Sequence, residues 1–386
     1  MTAPLSPREI LAKLVSFPTV SRDSNVPLID WVEAYLADHG IQSVRVPDPD
    51  MPKTSLYAHV GPNEDGGVLV SGHTDVVPVD GQDWMSDPFA LSERDGRLFG
   101  RGACDMKGFD ALAIWALVEA QRVGVARPLQ LALSYDEEVG CTGCVAMVRQ
   151  MAASLPRASA VIVGEPTMMK VVTGHKGAGG LSLHLRGHEV HSSIMHTGVS
   201  AVMEAGRLID WCNTVNADNA AKLPGPLADP FDPPYTTLHV GQIRGGTAHN
   251  ITAADCWMDI GFRVVPGESE SDWVERIRAK VAAVEADMKA VCPACFIDVQ
   301  PSFSYPGLAP EGGAAETLAR RLTGDNSPRV VSYGTEAGHF QQAGYSVVVC
   351  GPGDIAQAHQ PNEFLDISQL EAGQAFMRRL IEHLKD

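Results

Sequence analysis

From Ser6 to His39 the apolar residues Ile10, Leu11, Leu14 and Val15, then Leu28, Trp31 and Leu36, recur at helical spacing. Phe17-Pro18 interrupts the run, so the pattern predicts two helices. Two short apolar runs, SLYAHV and GVLVSG, flank the turn-rich GPNEDGG between Ser55 and Val70 and read as a hairpin or two adjacent strands. Phe109 to Val123 predicts a strongly apolar helix, and PLQLALSYDEE and ASAVIVGEPT predict buried strands that end in acids. Uniformly apolar strands alternating with helices point to an α/β sheet covered on both faces. The ligand site of such a sheet lies at the carboxyl ends of its strands. GHTD, DEE and GEP each sit just past a predicted strand end.

After Lys176 the pattern changes. A strand of alternating polarity, LSLHLRG, precedes a helix from about Gly198 to Asn213 and a loop dense in proline and glycine, LPGPLADPFDPP. Strands TTLHVGQIRGG and CWMDIGFRVVP follow, then an amphipathic helix from Ser271 to Val291 and a last strand, CFIDVQPS. The alternation suits a sheet with one solvated face and defines a compact βαββαβ insert. The α/β pattern resumes after about Pro306, with a helix over 314–322, strands VVSYG and YSVVVCG, and a helix from Ser368 to Lys385. The expected domains are therefore 1–175 and 303–386, forming one discontinuous unit, with 176–302 inserted.

A length of 386 residues makes two domains the default, and 45% hydrophobic with 20% charged residues is ordinary for a globular chain. A formal charge of -17 repels phosphate backbones and argues against nucleic acid as a partner. The N-terminal stretch carries Arg8, Glu9 and Lys13 and lacks the apolar centre of a signal peptide, and no stretch has the length of a membrane span. Cytoplasmic residence is expected, with the eight cysteines mostly reduced.

Five residues stand out as hard ligands: His73 in SGHTDVVP, Asp105 in GRGACDMKG, Glu138 in DEEVG, Glu165 in GEPT and His359 in AHQPNEF. Two imidazoles and three carboxylates suffice for two divalent sites if one carboxylate bridges. Mixed nitrogen and oxygen ligation suits zinc, with cobalt or manganese as substitutes. Taken singly, each is equally well a capping or solvated loop residue; the set carries the signal.

In order and spacing, SGHTDVVP, WMSDPF, GRGACDMKG, DEEVGCTG, GEPT, GGTAHNITAADC and AHQPNEF resemble the di-zinc M20 aminoacylases and metallopeptidases over essentially the whole chain. The resemblance implies an α/β/α catalytic domain with a mixed sheet and a ferredoxin-like insert serving as lid and dimerisation domain. It implies His73, Asp105 and Glu165 on one metal, and Asp105, Glu138 and His359 on the other, with Asp105 bridging and the Asp105–Met106 peptide cis. Glu137 becomes the general base, Asp75 the acid that fixes the His73 ring, and His191 in GHEVHSS a donor to the oxyanion across a dimer, with His188 and His196 as nearby alternatives. Asn250 and Arg263 match the substrate-holding pair, Arg263 offering a planar fork to an α-carboxylate.

VVSYGTEAGHFQQAGYSVVVCGPGDIAQAHQPNEF resembles the acetylornithine deacetylase subfamily. That implies hydrolysis of N2-acetyl-L-ornithine to L-ornithine and acetate by a homodimer, with Glu336 presented to the distal ammonium. Another acylamino acid, succinyl-diaminopimelate or a dipeptide would use the same ligands, and a non-catalytic metal-binding relative is the reading from a different class. Asp136 is left without a role. Cys141 with Cys144, and Cys292 with Cys295, form C-x-x-C pairs, but these fall in different expected domains and read as ordinary thiols. GHKGAGG lacks the ending of a phosphate loop and reads as a hinge.

Overall fold

A computed structural model describes residues 3–386. Contacts divide the chain into two units, the first comprising 1–174, 310–330 and 335–386, and the second 175–309 and 331–334.

The first unit is built on a mixed sheet of β1 (Ser43–Pro47), β2 (Thr54–Val60), β3 (Val68–His73), β4 (Leu129–Ser134), β5 (Ala160–Pro166) and β6 (Val347–Gly351). The spatial order is β1-β2-β4-β3-β5-β6. β4, β3, β5 and β6 run parallel, whereas β1–β2 and β2–β4 are antiparallel. Neither the hairpin nor the adjacent pairing expected of β2 and β3 forms, because β4 lies between them. β1 and its pairing with β2 are a further addition to the expected elements.

Every residue of β3, β4 and β5 is buried, as a sheet covered on both faces requires. Val68, Val70, Leu129, Leu131, Leu133 and Ile162 share one core with helices Pro7–Val15, Lys107–Val123 and Ile367–Lys385. Helix Gly143–Ser154 packs on β2 and β4, its ends tied to β2 by Ser55 Oγ donating to Gly143 O at 2.9 Å and by Tyr57 Oη with Ser154 Oγ at 3.1 Å. Burying each Val, Leu or Ile contributes about 1.5–3 kcal/mol. The strands that end at the site are thereby held in fixed register. Both helices expected before His39 form, as Pro7–Val15 and Val26–Asp38. The first opens on a capping box in which Ser6 and Glu9 satisfy each other's backbone amides, with Pro7 in the first turn.

The second unit contains strands Gly177–Arg186, Thr237–Gly245, Asp255–Val264 and Phe296–Tyr305, with helices Ala201–Ala220 and Glu270–Val291, in the βαββαβ order. Its strands are antiparallel, with Gly177–Arg186 between Asp255–Val264 and Phe296–Tyr305. Leu181, Leu183, Leu185, Cys256, Met258 and Ile260 form a separate core with both helices. The last strand runs to Tyr305, past the boundary expected after Ser302. The glycines read as a hinge are strand residues from Gly177 onward. A Cβ at Gly179 would lie 2.3 Å from the Phe262 ring, so close packing rather than flexibility accounts for that glycine. The strand expected from VVSYG is limited to Val330–Val331. No helix among the described residues is long and apolar enough to cross a membrane.

Candidate metal centre

Three adjacent parallel strands bring the acidic motifs together. Ser71 on β3 is level with Val163 on β5, and His73 and Glu165 each lie two residues further on. Residues two apart share a face, so both point the same way. His73 is level with Ser134 on β4, and the chain then turns through Asp136, whose φ of 57° is left-handed, into Glu137 and Glu138. Asp105 precedes the buried helix Lys107–Val123 and is joined to Met106 by a cis peptide.

His73 Nε2 lies 3.1 Å from Asp105 Oδ1 and 3.8 Å from Glu165 Oε1. The other Asp105 oxygen, Oδ2, is 3.4 Å from His359 Nε2, which in turn is 2.9 Å from Glu138 Oε2. Asp105 thus faces one histidine with each of its oxygens. Ligand atoms of His73, Glu137 and Glu165 lie within 4.8 Å of one another, as do those of His73, Asp105 and Glu138. Glu137 thus lies within ligand distance of His73 and Glu165.

The acids and imidazoles of the cluster shift one another's protonation. Burial and the neighbouring acids raise the carboxyl pKa of Glu137 to about 8 and of Glu138 to about 7, and push Glu165 well up. Burial disfavours the His73 imidazolium, yet Asp105 and Asp75 outweigh it and hold its pKa well above the usual value. Hydrogen bonds to Asp105 and Glu138 raise His359 to about 10. Four carboxylates against two imidazoles leave an excess of negative charge that only further positive charge can balance if all four ionise. Glu138 Oε1 and Glu165 Oε1 are buried with no hydrogen-bond partner. Divalent cations would satisfy both the charge and these oxygens, and the mixed imidazole and carboxylate donors fit zinc.

Asp75 does more for the DEE turn than for the histidine. Its Oδ1 is 3.6 Å from His73 Nδ1, whereas its backbone carbonyl is 2.9 Å from that nitrogen. The carboxylate instead accepts from the amides of Glu137 (3.1 Å) and Glu138 (3.4 Å) and from Ser21 Oγ (2.7 Å). Asp136 is fixed beside them by a buried ion pair with Lys53 at 2.6 Å, and Lys53 Nζ also donates to Ser21 O at 2.5 Å. Removing one partner of a buried pair costs about 3–5 kcal/mol. Lys53→Ala is expected to lower unfolding free energy by about that amount in a denaturant titration, and Asp136→Asn by less because an amide still accepts from the ammonium.

Glu336 does not occupy the position expected of it. It is 1% exposed, and its oxygens accept from Ser71 Oγ at 2.5 Å and Ser134 Oγ at 2.6 Å. Buried, and accepting one hydroxyl on each oxygen from β3 and β4, this carboxylate braces the sheet. Glu363 and Arg101, which fall inside AHQPNEF and GRGACDMKG, form a buried pair at 2.7 Å that nothing in either motif signals. All eight cysteines are free thiols, and Cys141 Sγ is 3.5 Å from Glu137 Oε1 with its pKa pushed well up by burial.

In the second unit His188, His191 and His196 are all exposed. The His191 ring accepts from the Ser193 amide at 3.2 Å and contacts Ser193 Oγ at 2.7 Å. The amide of Ser192 donates to Asn250 O at 2.8 Å, so His191 and Asn250 are brought to neighbouring segments of that unit. Arg263 is exposed on strand Asp255–Val264 and donates to Tyr305 Oη.

The profile of Peptidase family M20/M25/M40 matches residues 69–383. An acetylornithine deacetylase from Myxococcus xanthus is 34% identical over 381 residues, covering 97% of each chain. Among solved structures, an M20 family metallo-carboxypeptidase from Sulfolobus solfataricus superposes with a TM-score of 0.81 at 16% identity, over 98% of this chain and 99% of that one. A dinuclear metal-binding M20 peptidase from Bacillus subtilis gives a TM-score of 0.66 at 17% identity, over 98% and 97%.

Proposed function

Because this chain belongs to peptidase family M20/M25/M40 and is a hydrolase acting on amide bonds, we propose that it cleaves N2-acetyl-L-ornithine to L-ornithine and acetate at the cluster around Asp105. The observation that carries the hydrolytic site is the convergence of His73, Asp105, Glu137, Glu138 and Glu165 within 4.8 Å groups, with two buried carboxylate oxygens unsatisfied. The choice of substrate is supported by the activity named for the Myxococcus xanthus relative.

In this reading His73, Asp105 and Glu165 hold one divalent ion, and Asp105, Glu138 and His359 a second, with zinc the ion their donors favour. When bound, the ions supply positive charge that polarises the amide carbonyl and acidifies water. Glu137 accepts the proton of the attacking water at a carboxylate oxygen and delivers it to the departing amine nitrogen. Asp75 keeps Glu137 in place through the backbone amide. The family resemblance assigns the oxyanion hydrogen bond to a His191 supplied across a dimer, and assigns Asn250 and Arg263 to the amino-acid part of the substrate, Arg263 to its carboxylate.

Glu336 has no part in this selectivity. Glu336→Gln is expected to leave the ratio of kcat/KM for acetylornithine over acetylnorleucine unchanged, because an amide oxygen still accepts from one serine and the group stays buried. The substrate proposal is tested by a panel of N2-acetyl-L-ornithine, succinyl-diaminopimelate, acetylmethionine and a dipeptide with zinc- or cobalt-loaded chain. Acetylornithine should have the highest kcat/KM; equal or better turnover of succinyl-diaminopimelate contradicts it.

A further inference from the structure

The loop from His359 to Glu363 makes an uncommon demand on its surroundings. His359 and Asn362 have φ of 62° and 57°, a left-handed conformation that non-glycine residues seldom adopt. The His359 side chain is 53% exposed, so core packing does not orient it. Its restraint comes from residues far away in the sequence.

Gln82 Nε2 donates to the His359 carbonyl at 3.0 Å. The Asn362 side chain accepts from the Met85 amide at 2.8 Å and donates to Asp83 O at 3.2 Å. Glu363 is buried and receives Arg101 Nη1 at 2.7 Å together with the amides of Gly102, Cys104 and Asp105 at 3.0, 2.8 and 3.0 Å. Arg101 closes the circuit. Its Nη2 donates to Gln82 Oε1 at 2.6 Å, and its guanidinium lies 5.1 Å from the Trp84 ring.

We infer that Gln82, Arg101 and Glu363 are positioning residues, a clamp that locks the loop carrying His359 to the loop carrying Asp105 and so sets the affinity of the ion His359 would hold. The inference depends on the reading that His359, Glu138 and Asp105 share an ion, and adds to it the residues that preorganise that site. A buried Arg–Glu pair often serves stability alone, but here each partner also reaches a ligand loop: Glu363 the Asp105 amide, and Arg101, through Gln82, the His359 carbonyl. Outer groups of this kind typically alter metal affinity about 10- to 100-fold.

The test is calorimetric titration of Co2+ into metal-stripped full-length chain, read together with the visible spectrum of bound Co2+. The unaltered chain should bind two ions and His359→Ala one. Gln82 is only partly buried, so Gln82→Ala should fold as the unaltered chain does, with one equilibrium weakened about 10- to 100-fold and the other changed less than about threefold. Glu363→Gln should weaken the same equilibrium at least as much. If Gln82→Ala binds both ions as the unaltered chain does, or weakens both equally, the clamp is overturned while the two-ion reading stands. If His359→Ala still binds two ions, the two-ion reading itself fails and the clamp with it.

Discussion

Glu137→Ala is expected to lower kcat for amide hydrolysis about 100- to 10,000-fold, the range a positioned general base contributes. The variant should keep the metal content of the unaltered chain, and KM should change little. Glu137 is adjacent to Glu138 in sequence and shares a cluster with His73 and Glu165, so a base and a ligand are both open to it on distance alone. The difference is measurable. A base leaves metal behind when it is removed, whereas a ligand takes metal with it. Glu137→Gln sharpens the comparison, since the amide keeps the shape and an acceptor oxygen but cannot accept the water's proton at neutral pH. Loss of activity with metal retained in both variants, by rapid-quench kinetics and elemental analysis, is the expected result; a kcat within about threefold of the unaltered chain contradicts the role.

Asp105→Ala is expected to weaken both metal equilibria by more than the roughly 10- to 100-fold typical of outer-shell changes. Its two oxygens face different histidines, at 3.1 Å for His73 and 3.4 Å for His359, so one substitution removes a donor from each site. His359→Ala should remove one site and leave the other. Stability provides a second readout. Ligand at 100 times its Kd stabilises a folded chain by about 2.7 kcal/mol, so added zinc should raise the unfolding temperature of the unaltered protein clearly. For Asp105→Ala that shift should vanish. A zinc-dependent shift equal to that of the unaltered chain would show that the ions bind elsewhere.

What could be read from the chain follows the range of the interactions involved. β3, β4 and β5 are apolar throughout because both faces are covered, and that uniformity is visible locally. His73, Glu137, Glu138 and Glu165 sit at or just past the ends of these strands and are legible in the same way. Pairing is less local. β2 and β3 are close in sequence, yet β4 enters between them from more than 50 residues downstream, which no periodicity in 54–73 encodes. β1 is not legible because its burial is mixed, leaving no clean alternation in SVRVP.

Side-chain direction was the other hidden variable. Glu336 lies in a motif close to the ligands in space, but sequence does not show that its oxygens turn inward to Ser71 and Ser134. Asp75 follows His73 by two residues, but sequence does not show that its carboxylate receives the Glu137 and Glu138 amides. The role of Glu363 is not legible in AHQPNEF, since its partners from Arg101 to Asp105 lie 258 to 262 residues away.

The most direct measurement compares the metal-stripped chain with the same preparation after stepwise addition of Zn2+ or Co2+, following ornithine release from N2-acetyl-L-ornithine and bound metal in parallel. Hydrolysis should be absent from the stripped chain and should return as metal approaches two ions per chain, with the His73, Asp105, Glu138, Glu165 and His359 donors holding them. Full hydrolysis by the stripped chain, or metal-loaded chain that releases no amine from any acylamino acid, would contradict the account.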